Sequence, residues 1–140
     1  MIASRVAWYA AVATAIVWAL KSIAIWEAGG LGKTNLEVLG WIVGTLAFLV
    51  AWVSLGVAFA AGRAAWARAI AGVGGAVLGF ALFLALDGAA DTLPSSAGWV
   101  REEVGLWAAA LVTLALAWWQ RRRPGLSPAT EGFGPRTGEA

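Results

Sequence analysis

The residues best placed to do chemistry in this sequence are few, and they sit in apolar surroundings. Lys21 is the single ionisable residue well inside an apolar run, about four positions before that run ends. An ammonium at such a depth either snorkels its head toward water or meets an anion. On a helix it shares a face with Thr14 and Trp18, seven and three residues earlier. Glu103 opens another apolar run, and Trp107 follows it by four residues, again on one face. If the two runs are neighbouring helices, Lys21 meets Glu103 (or Glu102), with Trp18 and Trp107 beneath them. One reading is structural: a snorkelling lysine, or an ion pair that joins two helices, with the two indoles as core. The other is an outward-facing pocket, where the lysine holds an anionic headgroup or carboxylate and the indoles pack on an apolar body. Two titratable groups are thin grounds for a site, so the weight falls on the structural reading. A lysine that only snorkels predicts that Lys21→Leu leaves the fold intact. A pocket predicts that the same change abolishes ligand binding.

Other motifs fail on spacing. Gly32, Lys33 and Thr34 match the end of a phosphate-binding loop, but the pattern requires glycine at position 27, which is Glu27. Gly72 and Gly74 begin a dinucleotide-type signature that needs glycine at position 77, where Val77 stands. The chain has no histidine and no cysteine. That removes Ser/His nucleophile pairs, thiol and disulfide chemistry, and Cys/His zinc sites. No metal site and no cofactor is expected. The acids Glu27, Glu37, Asp87 and Asp91 read as a solvated loop surface rather than a cation site.

The elements that carry these residues follow from composition. Of 140 residues, 61% are hydrophobic, and the charged share is 13%, about half the ~25% of soluble domains. So little charge cannot cover a water-soluble fold of this size. A bilayer core of about 30 Å needs roughly 20 apolar residues per helix. Four segments fit: Val6 to Trp26, Val38 to Ala61, Ala69 to Leu86 and Trp99 to Trp119. Period-two alternation suited to a membrane barrel is absent. The expected fold is therefore an all-α integral membrane protein of four transmembrane helices in an up-down bundle. The first run reads as a retained helix, not a cleaved signal, because it is too long and no small-residue cleavage site follows.

Basic residues set the orientation. Arg5 precedes the first run, Arg63 and Arg68 lie between the second and third, and Arg121, Arg122 and Arg123 follow the fourth. The other two loops are mostly acidic. The positive-inside rule then puts both termini in the cytoplasm, with the protein in the plasma (inner) membrane. Tryptophans 8, 66, 118 and 119 fall at the basic ends of the runs and 26, 41 and 99 at the acidic ends, as amphipathic indoles do at headgroup depth. The arginine triplet reads as a stop-transfer signal that touches anionic headgroups, since a nucleic-acid surface needs a wider basic face. Ser95 or Ser96 is expected to cap the fourth helix. Residues 1–123 form the membrane domain. Residues 124–140, which hold three of the four prolines, are expected to be a disordered cytoplasmic tail.

Small residues mark packing faces. Gly40, Gly44, Ala47, Ala51, Ser54 and Ala58 form a stripe on the second helix, and Gly72, Gly75 and Gly79 form one on the third. Helices associate in lipid by close backbone approach, so the two stripes are expected to face each other across a tight hairpin. Around the same second helix Trp41, Thr45, Phe48, Trp52, Leu55 and Phe59 make a bulky face. A stripe of this kind also suits a membrane-protein partner or a second copy of the chain. The residues point first to a non-enzymatic accessory or structural component of the lipid bilayer, with no nucleic-acid partner. The alternative is a small transporter or amphiphile-binding protein built around Lys21. The Ala/Gly/Arg bias with two lysines fits a G+C-rich bacterial source.

Overall fold

The structure is a computed structural model that describes residues 2–123; the expected tail at 124–140 lies outside them. Four long helices run in order: α1 (Ile2–Glu27), α2 (Asn35–Phe59), α3 (Ala65–Ala90) and α4 (Trp99–Arg122). A short 3₁₀ turn, Ser95–Ala97, precedes α4. No strand occurs among the described residues. At 1.5 Å per residue the helices are about 36–39 Å long. Helices α1, α2 and α3 are long and apolar enough to cross a membrane. The slightly shorter α4 carries Arg101, Glu102 and Glu103 in its first turns and Arg121 and Arg122 in its last. Helices α1, α3 and α4 extend past the apolar runs that announce them, most of all α3, which continues through Asp87 to Ala90. Helix α2 begins three residues before its run and ends at Phe59, two residues short of Ala61.

Consecutive helices pack antiparallel, and α4 closes the bundle against both α3 and α1. Local sequence explains the turns. After α1 the chain leaves through a Schellman motif: Gly30 N donates to Ile25 O (3.0 Å) and Gly29 N to Trp26 O (3.1 Å), with Gly29 at φ 75°. Lys33 Nζ then donates to Gly29 O at 3.0 Å, on the free carbonyls of that end. Thr34 is the N-cap of α2, its Oγ1 accepting from Leu36 N at 3.2 Å. Gly32 N donates to the Glu37 carboxylate at 2.6 Å. The stretch that resembles a phosphate loop therefore ends one helix and begins the next.

The cap expected at Ser95 or Ser96 does not form. The N-cap of α4 is Gly98, at φ 58°, and no side chain caps the helix. The 3₁₀ turn takes up the serines, and Gly98, with its positive φ, then redirects the chain and stands at the N-cap position in their place.

The core is aromatic and is packed large against small. Trp18 of α1 lies 5.6 Å from Phe48, which in turn lies 6.1 Å from Trp52 and 6.4 Å from Phe83 (ring centroids). Trp18 rests on Gly44, where a Cβ would stand 2.1 Å from its Nε1. Trp52 rests on Gly79, where a Cβ would stand 2.4 Å from its Cγ. The expected pairing of small stripes is corrected here. Gly72, Gly75 and Gly79 do face α2, but they meet Val53, Val57, Gly56 and Trp52. On α2, Gly40 and Gly44 face Lys21 and Trp18 of α1. Ser54 and Ala58 line a cleft with Ile2, Ala3 and Val6 of α1. Ala51 is fully buried and Ala47 half-buried. An indole needs a seat with no side chain beneath it, so Gly44 and Gly79 take rings. Gly72 and Gly75 instead meet the α2 backbone closely, at Gly56, which lies outside the expected α2 stripe, and at Trp52, which is not small.

Candidate functional site

Near the acidic end, the antiparallel packing of α1 on α4 brings Lys21 and Glu103 together. Lys21 Nζ lies 2.5 Å from Glu103 Oε1, with the side chains 5% and 2% exposed. The lysine does not snorkel: its stem lies over Gly40, where a Cβ would be 2.9 Å from the Lys21 Cβ. Glycine at that position lets the ammonium run sideways through the bundle toward α4. Of the two acids considered, Glu103 is the partner, and Glu102 is exposed.

Ser22, next to Lys21, is the hub that sequence reasoning missed. Its Oγ lies 3.0 Å from both Glu103 Oε2 and Trp18 O, and it accepts from Trp107 Nε1 at 2.9 Å. The single hydroxyl proton serves one of those two acceptors at a time. When that proton points to Oε2, each Glu103 oxygen has a partner, as a carboxylate in an apolar interior requires. The spacing carried a signal: Trp18 and Ser22 are four apart on α1, as Glu103 and Trp107 are on α4. Apolar context hid it, because a serine in such a helix usually bonds back to its own backbone.

The four residues expected to form the site divide in two. Lys21, Glu103 and Trp107 join one hydrogen-bonded cluster through Ser22. Trp18 contributes its carbonyl to that cluster, while its ring belongs to the aromatic core. Trp18 Nε1 is buried against Gly44 with no acceptor among the described residues. A second polar contact lies deeper: Trp52 Nε1 donates to Thr113 Oγ1 at 3.0 Å, and Thr113 donates to Ala109 O at 2.7 Å. Trp52 is therefore a buried, hydrogen-bonded link from α2 to α4.

Two clefts flank the ion pair. One, of about 480 Å³, opens between α1 and α2 along Val17, Leu20, Lys21, Gly40 and Val43, with Glu27 on its lining. The other, of about 570 Å³, lies between α1 and α4 and is lined by Ser22, Trp26, Trp99 and Trp107. The loop acids stand apart. Asp91 accepts from Arg101 at 3.1 Å, and no three acidic residues converge on a cation position among the described residues.

The opposite, basic end is built from α4 and the rings beside it. Arg122 lies over Trp118 (4.1 Å to the centroid) and Arg123 over Trp119 (3.6 Å). Arg121 lies 5.7 Å over Trp8 of α1, and Arg123 also lies 5.9 Å over Phe59 of α2.

The fold and these contacts define an all-helical protein with three helices able to cross a membrane and a buried, closed ion-pair cluster near one end. No protein family, curated protein or solved structure matches the chain.

Proposed function

We propose that this is a four-span protein of the bacterial inner membrane, both termini cytoplasmic, that catalyses no reaction. It acts as a structural or accessory component through helix and lipid contacts. The observation that carries this reading is the closed Lys21–Glu103 pair, in which the two buried charges among the described residues satisfy one another. An intramembrane charge kept for chemistry would keep an open valence, whereas the Lys21 ammonium, although its residue lines a cleft, is turned to Glu103. The outer face of α3 adds support: Ile70, Val73, Val77, Leu78, Phe80 and Leu84 are exposed and apolar, suited to lipid tails or another helix. The uncharged stretch between Glu103 and Arg121 supports a fourth span at α4, and the six arginines grouped at one end support the orientation.

The test is to extract the tagged full chain in native nanodiscs and identify everything retained with it. A stoichiometric membrane protein supports the accessory reading. Protein alone, carrying a metabolite or lipid that is lost in Lys21→Leu/Glu103→Leu, which removes both charges and leaves neither unpaired, overturns it. Reporter fusions after residue 123 and within residues 28–34 check the sidedness.

The two clefts beside Lys21 and Ser22 favour a second reading, a small transporter or amphiphile-binding protein that works as an oligomer. Four short helices leave little room for a pathway within one copy.

A further inference from the structure

Among the described residues, the basic end has positive charge with no acidic partner. Arg5, Arg63, Arg68, Arg121, Arg122 and Arg123 gather there, while every acidic residue among those described (Glu27, Glu37, Asp87, Asp91, Glu102, Glu103) lies at the other end. The two ion pairs among the described residues, Lys21–Glu103 and Arg101–Asp91, are also at that other end. The arginine triplet is nevertheless held in place. Trp8 and Trp118 lie 5.5 Å apart with Arg121 and Arg122 over them, and Phe59 and Trp119 lie 6.2 Å apart with Arg123 over both. The last turn of α4 is thus joined to α1 on one side and to α2 on the other.

A guanidinium that rests on a ring uses its flat face, and its five N–H donors lie in the plane and radiate from the edge. Stacking therefore orients the donors without consuming them. A planar fork held in this way matches the two oxygens of a phosphodiester. The indoles are half exposed, with Trp118 at 44% and Trp119 at 47%, as rings at headgroup depth are. Every phospholipid has a phosphate, but the uncompensated positive charge at this end repels a headgroup that also carries an ammonium.

We propose that the Arg121–Arg123 turn, seated on Trp8, Trp118, Trp119 and Phe59, is a preorganised binding site for the phosphate of anionic phospholipids. This rests on the membrane reading given above. It goes beyond general attraction of basic residues to a charged surface, because ring-seated arginines discriminate by geometry as well as by charge.

The full chain is reconstituted into phosphatidylcholine vesicles containing a minor fraction of phosphatidylglycerol, then released for native mass spectrometry of retained lipid. Resistance of the vesicle-bound protein to carbonate extraction reports on the membrane reading alone. The lipid ratio reports on the site. The wild-type chain retains phosphatidylglycerol above its bulk fraction. Trp118→Leu/Trp119→Leu keeps every charge yet lowers that enrichment by about two- to fivefold per seat, the size of an exposed cation–π contact. Arg122→Lys/Arg123→Lys, also charge-conserving, lowers it as well. The exposed single change Arg122→Lys does so in part, and stands in if a double variant loses helicity. Arg101→Lys, at the other end, leaves it unchanged. Wild-type retention no greater than the bulk fraction overturns the proposal. So does enrichment that survives the charge-conserving variants, which would mean that charge alone suffices. Displacement of the retained lipid by inorganic phosphate alone assigns the site to free phosphate and overturns the lipid assignment.

Discussion

At the acidic end Lys21 and Glu103 are sealed inside the bundle 2.5 Å apart, whereas at the basic end Arg122 and Arg123 stand exposed over Trp118 and Trp119. Both arrangements tie helices together with charge, but they do so under different physics. The buried pair has lost its water. Its stability depends on each charge keeping its partner, because an uncompensated buried ion is far more costly than no ion at all. The stacked arginines keep most of their water, so each contact is weak and screened, and its strength lies in orientation. A charge that is sealed in serves the fold. One that is oriented and left open is free to meet a partner, as proposed for the arginine turn.

The sharpest way to break this contrast is to remove one partner of the buried pair. Lys21→Leu is expected to destabilise the bundle by about 3–5 kcal/mol, since Glu103 is left buried and unpaired. Lys21→Leu/Glu103→Leu recovers most of that loss, and unfolding of the detergent-solubilised full chain measures the coupling. A neutral Lys21→Leu would mean that the lysine snorkels after all, and the two ends would then be alike.

Packing comes next. Gly44→Ala drives a methyl into the Trp18 ring, and overpacking of this kind costs about 1–3 kcal/mol. Gly74→Ala has nothing within 4 Å of the added carbon and is expected to be neutral or slightly stabilising, so the same unfolding assay separates seat from bystander.

Trp52→Phe removes the indole donor to Thr113 and keeps the ring. Interhelical hydrogen bonds in membranes average about 0.6 kcal/mol, so a small downward shift in the unfolding midpoint is expected. The smallest stability effect belongs to the basic end. Trp118→Leu changes stability by less than about 1 kcal/mol. Raising salt should weaken anionic-lipid retention there while leaving the Lys21–Glu103 coupling energy unchanged. Equal salt sensitivity at both ends would erase the distinction between sealed and open charge.

Much of the architecture is legible in the residues. Long uncharged runs require helices, and the loop lysine, threonine and glycines punctuate them by local chemistry alone. The pairing of Lys21 with Glu103 is legible too, because their depths match and their helices are chain ends that meet when a bundle closes. Ser22 was hidden, since a hydroxyl in an apolar helix has a local acceptor available and gives no outward sign of a distant one. The packing partners of the glycine stripes were hidden for another reason. A small-residue stripe says that something approaches closely, but not whether the visitor is backbone or ring.

Composition and periodicity by themselves determined the helical class, the element order, the gathering of arginines at one end and the candidate pair of charges. Those properties depend on neighbours along the chain and on the cost of apolar or charged groups in the wrong solvent. Only the tertiary structure decided that Trp18 rests on Gly44, that Trp52 reaches Thr113, that Ser22 bridges Trp107 and Glu103, and that arginines 121–123 rest on rings from three helices. Each of these depends on the rotation of one helix about its axis relative to another. That rotation is set by the joint packing of all four faces, and no single helix carries it in its own pattern.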